Sequence, residues 1–217
     1  MAPKFGPFDN DFPYDPNAVP TEEDYDSWNE WGRNSFLAHL VPGWFDSAFM
    51  YSHYRKASGT DVEINYRDMY NQEPVIREYI DKEIEDMMQF AQKFYLQTNK
   101  ISFEIIGDIV SIPNGKKVNV QRTIGAHQVY AHGVVTYYES TQMFVMTVTL
   151  YMEDMYNFNR GQNDIQSGTP DAVNGRFSTL GWAKEFKVKG TMTTLVTWKA
   201  TREDMLKDAT NIDSKGR

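Results

Sequence analysis

A polar segment at positions 154–177 contains the residue types that phosphate chemistry uses. It carries three carboxylates and two arginines, namely Asp154, Asp164, Asp171, Arg160 and Arg176. Carboxylate oxygens can hold a hard cation such as Mg²⁺, and an arginine can bind phosphate oxygens through two parallel N–H donors. The segment is therefore a candidate phosphoester site. Asp and Asn also cap turns, so these residues could instead serve only to fold a long loop.

Within that candidate site each residue has an expected role. We expect Arg160 and Arg176 to bind the substrate, and Asp154 and Asp164 to hold the metal ion, because loops between rigid elements commonly carry function. His127 is the candidate general base, since imidazole exchanges protons near neutral pH. His132 lies five residues further along the same predicted strand and therefore faces the other side of the sheet. A purely structural role for His127 is the alternative.

Hydrophobic periodicity predicts the elements that position these side chains. Apolar residues recur in steps of three and four over about 43–56 and 73–97, which predicts two helices. After residue 100 the period changes to two and predicts long strands at about 127–138, 142–153 and 185–199. Asn114-Gly115 predicts a hairpin turn between Ile109–Ile112 and Lys117–Ile124. The fold class is therefore α+β, with an N-terminal extended arm and helices followed by an antiparallel sheet.

The net charge is distributed unevenly along the chain. The 217 residues carry a formal net charge of −8, but residues 1–30 hold eight acids and one lysine, so this segment alone carries −7. It also holds five of the nine prolines and several aromatic residues, which predicts an extended arm. The arm either straps its own domain or docks onto a carrier or partner. The expected regions are an arm at 1–42, a helical region at 43–100, a β domain at 101–200 and a tail at 201–217.

Composition excludes several classes of function. The chain has no cysteine, which excludes disulfides and Cys-based metal sites. Its acidic balance disfavours nucleic-acid binding, which needs a basic surface. The sequence contains no run of 18 apolar residues, which is the length that would predict a membrane-spanning helix. The first residues lack the apolar core of a secretory signal, so we expect synthesis in the cytoplasm without a signal peptide.

The stretch Asp154-Met155-Tyr156-Asn157 leaves a predicted strand and resembles the catalytic motif of the colicin M family of bacterial toxins. That motif is Asp-x-Tyr-Asp, then five residues, then His-Arg. The resemblance implies a curved, half-barrel antiparallel sheet and Mg²⁺-dependent cleavage of a lipid-linked peptidoglycan precursor between lipid and pyrophosphate. It places Asp154, Tyr156 and Asn157 at motif positions and covers about a third of the chain.

Two motif positions differ from that family. Asn157 stands where the motif has its second aspartate, and Asn163-Asp164 stands where it has His-Arg. An amide cannot act as a carboxylate base. Either the chemistry has been rebuilt, with Asp164, Arg160, Arg176 and His127 as the expected participants, or the activity has been lost.

A longer string resembles uncharacterised bacterial effectors of contact-dependent, type VI-like secretion systems. It runs through Tyr156-Asn157-Phe158-Asn159-Arg160-Gly161, Asn174-Gly175-Arg176-Phe177 and Leu180-Gly181-Trp182-Ala183. This resemblance implies a toxin that meets a cognate immunity protein and a secretion carrier or spike protein, and acts after delivery, in the periplasm of a target cell.

Three hypotheses follow for the function. The first is an antibacterial toxin that acts as a phosphoesterase on a lipid-linked cell-wall precursor. The second is a toxin that damages membranes without catalysis, through the apolar helix at 74–97. The third is a non-enzymatic interaction or virion-type structural protein, which the acidic arm and the altered motif both allow.

Overall fold

The computed structural model describes residues 2–164, 166–203 and 205. Over these residues the chain forms six helices and a mixed six-stranded sheet, which confirms the α+β class. The helices are α1 (Glu22–Ala38), α2 (Phe45–Arg55), α3 (Tyr66–Gln72), α4 (Pro74–Thr98), α5 (Val118–Ile124) and α6 (Asp171–Thr179). The strands are β1 (Val62–Asn65), β2 (Ser102–Ile106), β3 (Val110–Ile112), β4 (His127–Tyr138), β5 (Met143–Tyr156) and β6 (Phe186–Lys199).

The sheet is open, with the strand order β1-β6-β5-β4-β2, and β3 pairs with β4 beside β2. All neighbours are antiparallel except β1 and β6, which run parallel. The sheet is therefore mixed at one edge. The longest pairing joins β5 to β6, from Met143 opposite Lys199 to Tyr156 opposite Phe186, and it makes β5 a rigid support for whatever its last residues carry.

The core lies between the helices and one face of the sheet. On β5 the even-numbered side chains from Phe144 to Met152 are buried, as the alternation in the sequence predicts. Helix α4 buries a stripe that follows the helical period, formed by Ile76, Ile80, Met87, Ala91 and Tyr95. The apolar faces that the helical and strand periods predict thus lie in one apolar layer.

The N-terminal arm is shorter than the sequence suggested. Residues 2–20 contain no helix or strand, but α1 begins at Glu22, inside the segment expected to be extended. The side chain of Thr21 accepts a hydrogen bond from the backbone N–H of Asp24, and the Asp24 carboxylate accepts one from the Thr21 N–H. This reciprocal capping satisfies two exposed helix-end donors and starts the helix directly after Pro20.

Residues 2–20 form a strap over the protein's own domain. The Gly6 N–H donates to Gln128 Oε1 at 2.9 Å, and the Asp15 N–H donates to the Thr179 carbonyl at 3.0 Å. Phe12 is 6% exposed, and its ring fills the space beside Gly175, where a Cβ atom would lie 2.2 Å away. The strap alternative from the sequence is therefore the one that the structure shows.

The predicted hairpin at Asn114-Gly115 is wrong in its second half. Val110–Ile112 is a strand, but Val118–Ile124 is helix α5. Its buried residues are Asn119, Val120, Thr123 and Ile124, spaced as one face of a helix. Their apolar members also fit a strand, so the local pattern was ambiguous, and packing against α2 and β5 selected the helix.

The expected long loop at 155–181 is partly ordered into regular structure. Strand β5 continues to Tyr156, and helix α6 occupies Asp171–Thr179. Between them, Asn163 and Pro170 form an isolated bridge. The predicted tail at 201–217 falls mostly on residues outside those that the structure describes.

Candidate functional site

A cavity of about 770 Å³ opens where the helical layer ends at the last residues of β5. Its walls come from α1, α2, α5 and the segment 154–171, and the strap closes one side through Pro7, Phe8 and Asp9. Predicted site residues Asp154, Tyr156, Asn157, Asp164 and His127 all line it, whereas Arg160 and Arg176 do not. The cavity is of a size that suits a small molecule or a ligand head group.

Asp154 and Tyr156 continue the core face of β5 beyond Met152. Because side chains alternate along a strand, both point to the side where the helices would otherwise cover them. There they meet the cavity. Burial raises the pKa of the Asp154 carboxyl well above its usual value, although the carboxylate accepts a hydrogen bond from the Met155 N–H. Burial likewise raises the pKa of Tyr156, so in both groups the surroundings favour the protonated form relative to the free side chain.

His127 lies beside Asp154 on the sheet. The register that pairs Gln128 with Glu153 puts His127 and Asp154 at the next position of the antiparallel ladder. The His127 Nδ1 lies 3.1 Å from the Gly125 carbonyl, which can only accept, so this nitrogen carries the proton. Nε2 then accepts from the Tyr66 hydroxyl at 2.8 Å.

These two hydrogen bonds and complete burial define the protonation state of His127. The side chain is 3% exposed, and burial lowers its pKa to about 4. The imidazole is therefore neutral, with both nitrogens occupied, and its geometry is that of a structural histidine at the cavity wall. His132 faces the other side of the sheet, 3.3 Å from Glu104, as its position along the strand predicts.

Asp164 forms a two-pronged ion pair with Arg122. The two carboxylate oxygens accept from Arg122 Nε and Nη2, each at 2.7 Å. The Asp164 carboxylate also accepts from the N–H and hydroxyl of Ser167, each at 2.7 Å. Burial alone would raise the pKa of Asp164, but the bonds from Arg122 and Ser167 outweigh it and lower the pKa to about 2. Asp164 is an ionised residue that organises its own loop.

The two predicted substrate-binding arginines hold the N-terminal part of the chain. The Arg160 N–H donates to the Asp11 carboxylate at 2.7 Å, and its guanidinium lies 4.7 Å from the centre of the Phe12 ring. Arg176 donates to the Val19 carbonyl at 2.9 Å and to the Asp24 carboxylate. Asn157 donates to the Asp9 carbonyl at 2.9 Å. In this structure all three residues serve the strap and the start of α1.

Two observations bear on the predicted Mg²⁺ ligands. Among the described residues no three His, Asp or Glu side chains converge as a metal site. Of the two predicted ligands, Asp164 accepts hydrogen bonds from Arg122 and Ser167 with both carboxylate oxygens, and burial raises the pKa of the Asp154 carboxyl, which disfavours the ionised form that a metal ligand needs.

Sequence reasoning missed Arg122, which carries a positive charge to the cavity wall and lies 5.1 Å from the centre of the Trp44 ring. It sits on α5, the helix that the sequence read as a strand. The structure also places two buried acceptor atoms without a hydrogen-bond partner, Gln121 Oε1 and Asn159 Oδ1, on residues that line the cavity. No spacing signal in the sequence marks these residues, because they meet only through the fold.

Comparisons with known proteins give one structural likeness. No protein-family model matches the chain, and no curated protein matches it. A solved structure with a related arrangement is that of the bacteriocin syringacin M from Pseudomonas syringae pv. tomato DC3000, at 10% sequence identity and a TM-score of 0.44. The match covers 71% of this chain and 52% of that one, so this chain spans about half the length of that protein. Activity, substrate and site residues do not follow from a similarity of this size.

Proposed function

We propose that this protein is an antibacterial toxin domain that hydrolyses a phosphoester bond in a lipid-linked peptidoglycan precursor. One observation carries the proposal. Asp154 and Tyr156, two of the residues at the colicin M-like motif positions, point from the end of a rigid strand into a cavity of about 770 Å³. There burial raises the pKa of both groups, which favours a role as proton donors.

The chemistry asked of these groups is general-acid catalysis. When water attacks phosphorus, the bond from phosphorus to the lipid alcohol oxygen breaks, and that oxygen must gain a proton. A neutral Asp154 carboxyl can give it this proton, as carboxyls with raised pKa values do in other hydrolases. The proton released by the attacking water restores the carboxyl. Tyr156 is placed to donate a hydrogen bond to a phosphoryl oxygen.

The first test is toxicity in the periplasm. We expect export of the protein into the periplasm of a susceptible bacterium to stop growth, and Asp154→Asn and Tyr156→Phe to abolish the effect. Glu153→Gln is the matched control, because Glu153 lies on the opposite face of β5, bonded to Lys187. Unaffected growth with the parent protein, or equal toxicity of the parent and both site variants, would reject the proposal.

The second test uses purified protein and a detergent-solubilised lipid-linked precursor. We expect release of a water-soluble pyrophosphate fragment by the parent and by Glu153→Gln, and a loss of at least about a hundredfold in rate for Asp154→Asn, as for removal of a general acid. Repeating the assay with Mg²⁺ and with a chelator tests the predicted metal dependence directly.

The proposed function includes the partners and the location that the sequence suggests. A toxin of this kind is made in the cytoplasm, is delivered by a carrier or spike protein, acts in the target periplasm and is neutralised by an immunity protein. A physical test of the last partner is co-purification of this chain with the product of a small neighbouring gene.

A non-enzymatic binding domain is the second candidate, and one observation favours it. Asn157, Arg160 and Arg176, three of the seven predicted site residues, hold the N-terminal segment. If Asp154→Asn leaves both growth inhibition and binding to bacterial envelopes unchanged, the binding domain is the better reading.

A further inference from the structure

The end of α1 and the start of α2 expose an apolar surface that the core does not use. Its members, here called the corner patch, are Phe36, Leu37, Leu40, Val41, Phe45 and Phe49. Phe36, Leu40 and Phe45 are 68%, 69% and 65% exposed. The ring of His39 lies 6.1 Å from that of Phe45, so the two helix ends form one continuous surface.

Helix α1 does not need these side chains for its own packing. Its inward stripe is Trp28, Trp31 and Ser35, in steps of three and four. The Trp28 ring packs on Phe177 at 5.0 Å, and Trp31 packs on Tyr51 at 5.7 Å. Phe36, near the end of α1, and Leu40, in the turn that follows it, are both exposed and face away from the domain. A contiguous exposed apolar surface of this kind marks an interaction site.

The charge around the corner patch limits what can cover it. The chain has 30 acidic residues, yet none occurs between Glu30 and Asp46. The charged or titratable side chains within that interval are Arg33 and His39. Aromatic and aliphatic residues with cations and no acids are the composition of a segment that lies in a membrane interface. Along residues 31–45 an anionic surface meets Arg33 and no carboxylate, whereas it is repelled by the acidic N-terminal half of α1; Asp46, which follows Phe45, accepts a hydrogen bond from Asn119 Nδ2.

We propose that the corner patch docks the protein onto the surface of a lipid bilayer. No described helix is long and apolar enough to cross a membrane, so the contact is a shallow one. The Phe and Leu side chains enter the boundary between head groups and acyl chains, and Arg33 lies at head-group level.

The same corner also borders the cavity. Ala38 and Trp44, which lie between members of the corner patch in sequence, line the cavity together with Asn34 and Ser35. A docked protein would therefore hold the cavity next to the head groups, where a lipid-linked phosphoester lies. The docking proposal rests on the corner patch alone, whereas the role of docking in bringing a lipid-linked substrate to the cavity rests on the proposed function.

The test is flotation with vesicles of phosphatidylethanolamine and phosphatidylglycerol. We expect the parent to float with the vesicles and Phe36→Ser combined with Leu40→Ser to lower the vesicle-bound fraction about tenfold or more, because both side chains lose the transfer of apolar area into lipid. Leu195→Ser is the matched control, since Leu195 is 64% exposed on β6, outside the corner patch. It should float like the parent.

Either of two results would overturn the proposal: a parent that does not float, or equal flotation of the parent, the double variant and Leu195→Ser. If the parent does not float but is a dimer by light scattering, and the double variant is a monomer, the corner patch is instead the interface with a second copy of the chain.

A further variant separates docking from the proposed function. Asp154→Asn should float like the parent while losing hydrolysis of the precursor. Failure of the phosphoesterase proposal alone would leave flotation intact. Failure of docking alone would leave hydrolysis of the detergent-solubilised precursor intact.

Discussion

At the scale of single residues, the cavity shifts the pKa values of its titratable groups in opposite directions. Burial raises the pKa values of Asp154 and Tyr156, whereas hydrogen bonds from Arg122 and Ser167 lower that of Asp164, further along the same segment. Two carboxyls of one chemical type thus differ in acidity because their surroundings differ, which is how one site can contain both an acid and a charged partner. No cation lowers the pKa of Asp154 in the way that Arg122 lowers that of Asp164. Asp154 is therefore the candidate general acid.

His127 gives a pH dependence whose sign can be worked out. Its pKa is lowered from 6.5 to about 4 in the folded protein. Between these values the unfolded chain binds a proton that the folded chain does not, so stability falls as the pH falls. The full effect is about 3 kcal/mol. We expect His127→Gln to flatten the dependence of the free energy of unfolding on pH between 6.5 and 4, measured by urea denaturation.

The control for this prediction is His132→Gln. His132 lies on the same strand, but its ring is partly exposed on the opposite face, so this variant removes an imidazole without changing the buried one and should flatten the slope less than His127→Gln. A His127→Gln protein with an unchanged slope would show that burial does not control this imidazole.

At the scale of elements, a buried carboxylate joins two helices that the sequence treats as unrelated. Glu73 is 1% exposed and precedes α4. Its oxygens accept from the backbone N–H groups of Lys116 and Lys117, each at 2.8 Å, and from that of Val75 at 3.3 Å. The same side chain thus caps α4 and fixes the chain that enters α5, the helix carrying Arg122.

This arrangement predicts a large effect for Glu73→Ala. Removing the carboxylate leaves three partly buried backbone N–H donors without this acceptor, so we expect the free energy of unfolding to fall by about 2 kcal/mol. Amide hydrogen exchange should also speed up over residues 116–124. Glu73→Gln keeps one acceptor oxygen and should lose less than Glu73→Ala. Equal losses for the two variants would contradict the role given to the acceptor.

The hydrophobic periodicity of the sequence predicts the elements that have one clear period. It misses the elements whose structure depends on tertiary contacts. Strands β4 and β6 and helix α4 were predicted to within about two residues, because each has a long, unambiguous apolar stripe. Helix α5 is short, and its valines fit either period, so Arg122 was overlooked with it. Asp154, Tyr156 and His127 were predicted as site residues and do share one cavity. The engagement of Arg160 and Arg176 with the strap could not be read from spacing, since their partners lie about 150 residues away.

At the scale of the whole molecule, the acidic N-terminal segment finds basic and polar partners on the body. Asp24 forms an ion pair with Arg176, the Asp11 carboxylate accepts from the backbone N–H of Arg160, and the Phe8 ring lies 5.7 Å from the Lys187 ammonium. The ion pair between Asp24 and Arg176 neutralises part of the charge of −7 in residues 1–30 within the molecule. The body, residues 31–217, carries a net charge of −1.

The strap should contribute to global stability through Phe12. We expect Phe12→Ala to lower the free energy of unfolding by about 3 kcal/mol, as for other buried aromatic residues. It should also make residues 2–20 more sensitive to limited proteolysis, followed by mass spectrometry. Val19→Ala is the control, because the Val19 side chain is 76% exposed and its carbonyl still accepts from Arg176. Unchanged stability and proteolysis in Phe12→Ala would mean that the strap does not hold the domain.

The strap has a further consequence during synthesis. Its bonds join residues 122 to 164 positions apart, from Gly6–Gln128 to Asp15–Thr179. The strap residues therefore leave a ribosome well before their partners in the second half of the chain, by about 6–30 s at ordinary translation rates. Throughout that time Phe5, Phe8 and Phe12 are exposed in a chain without its partners. Asp9, Asp11 and Asp15 lie among and after them, and we expect these charges to keep the segment hydrated and to oppose aggregation of the nascent protein until the body of the domain has formed.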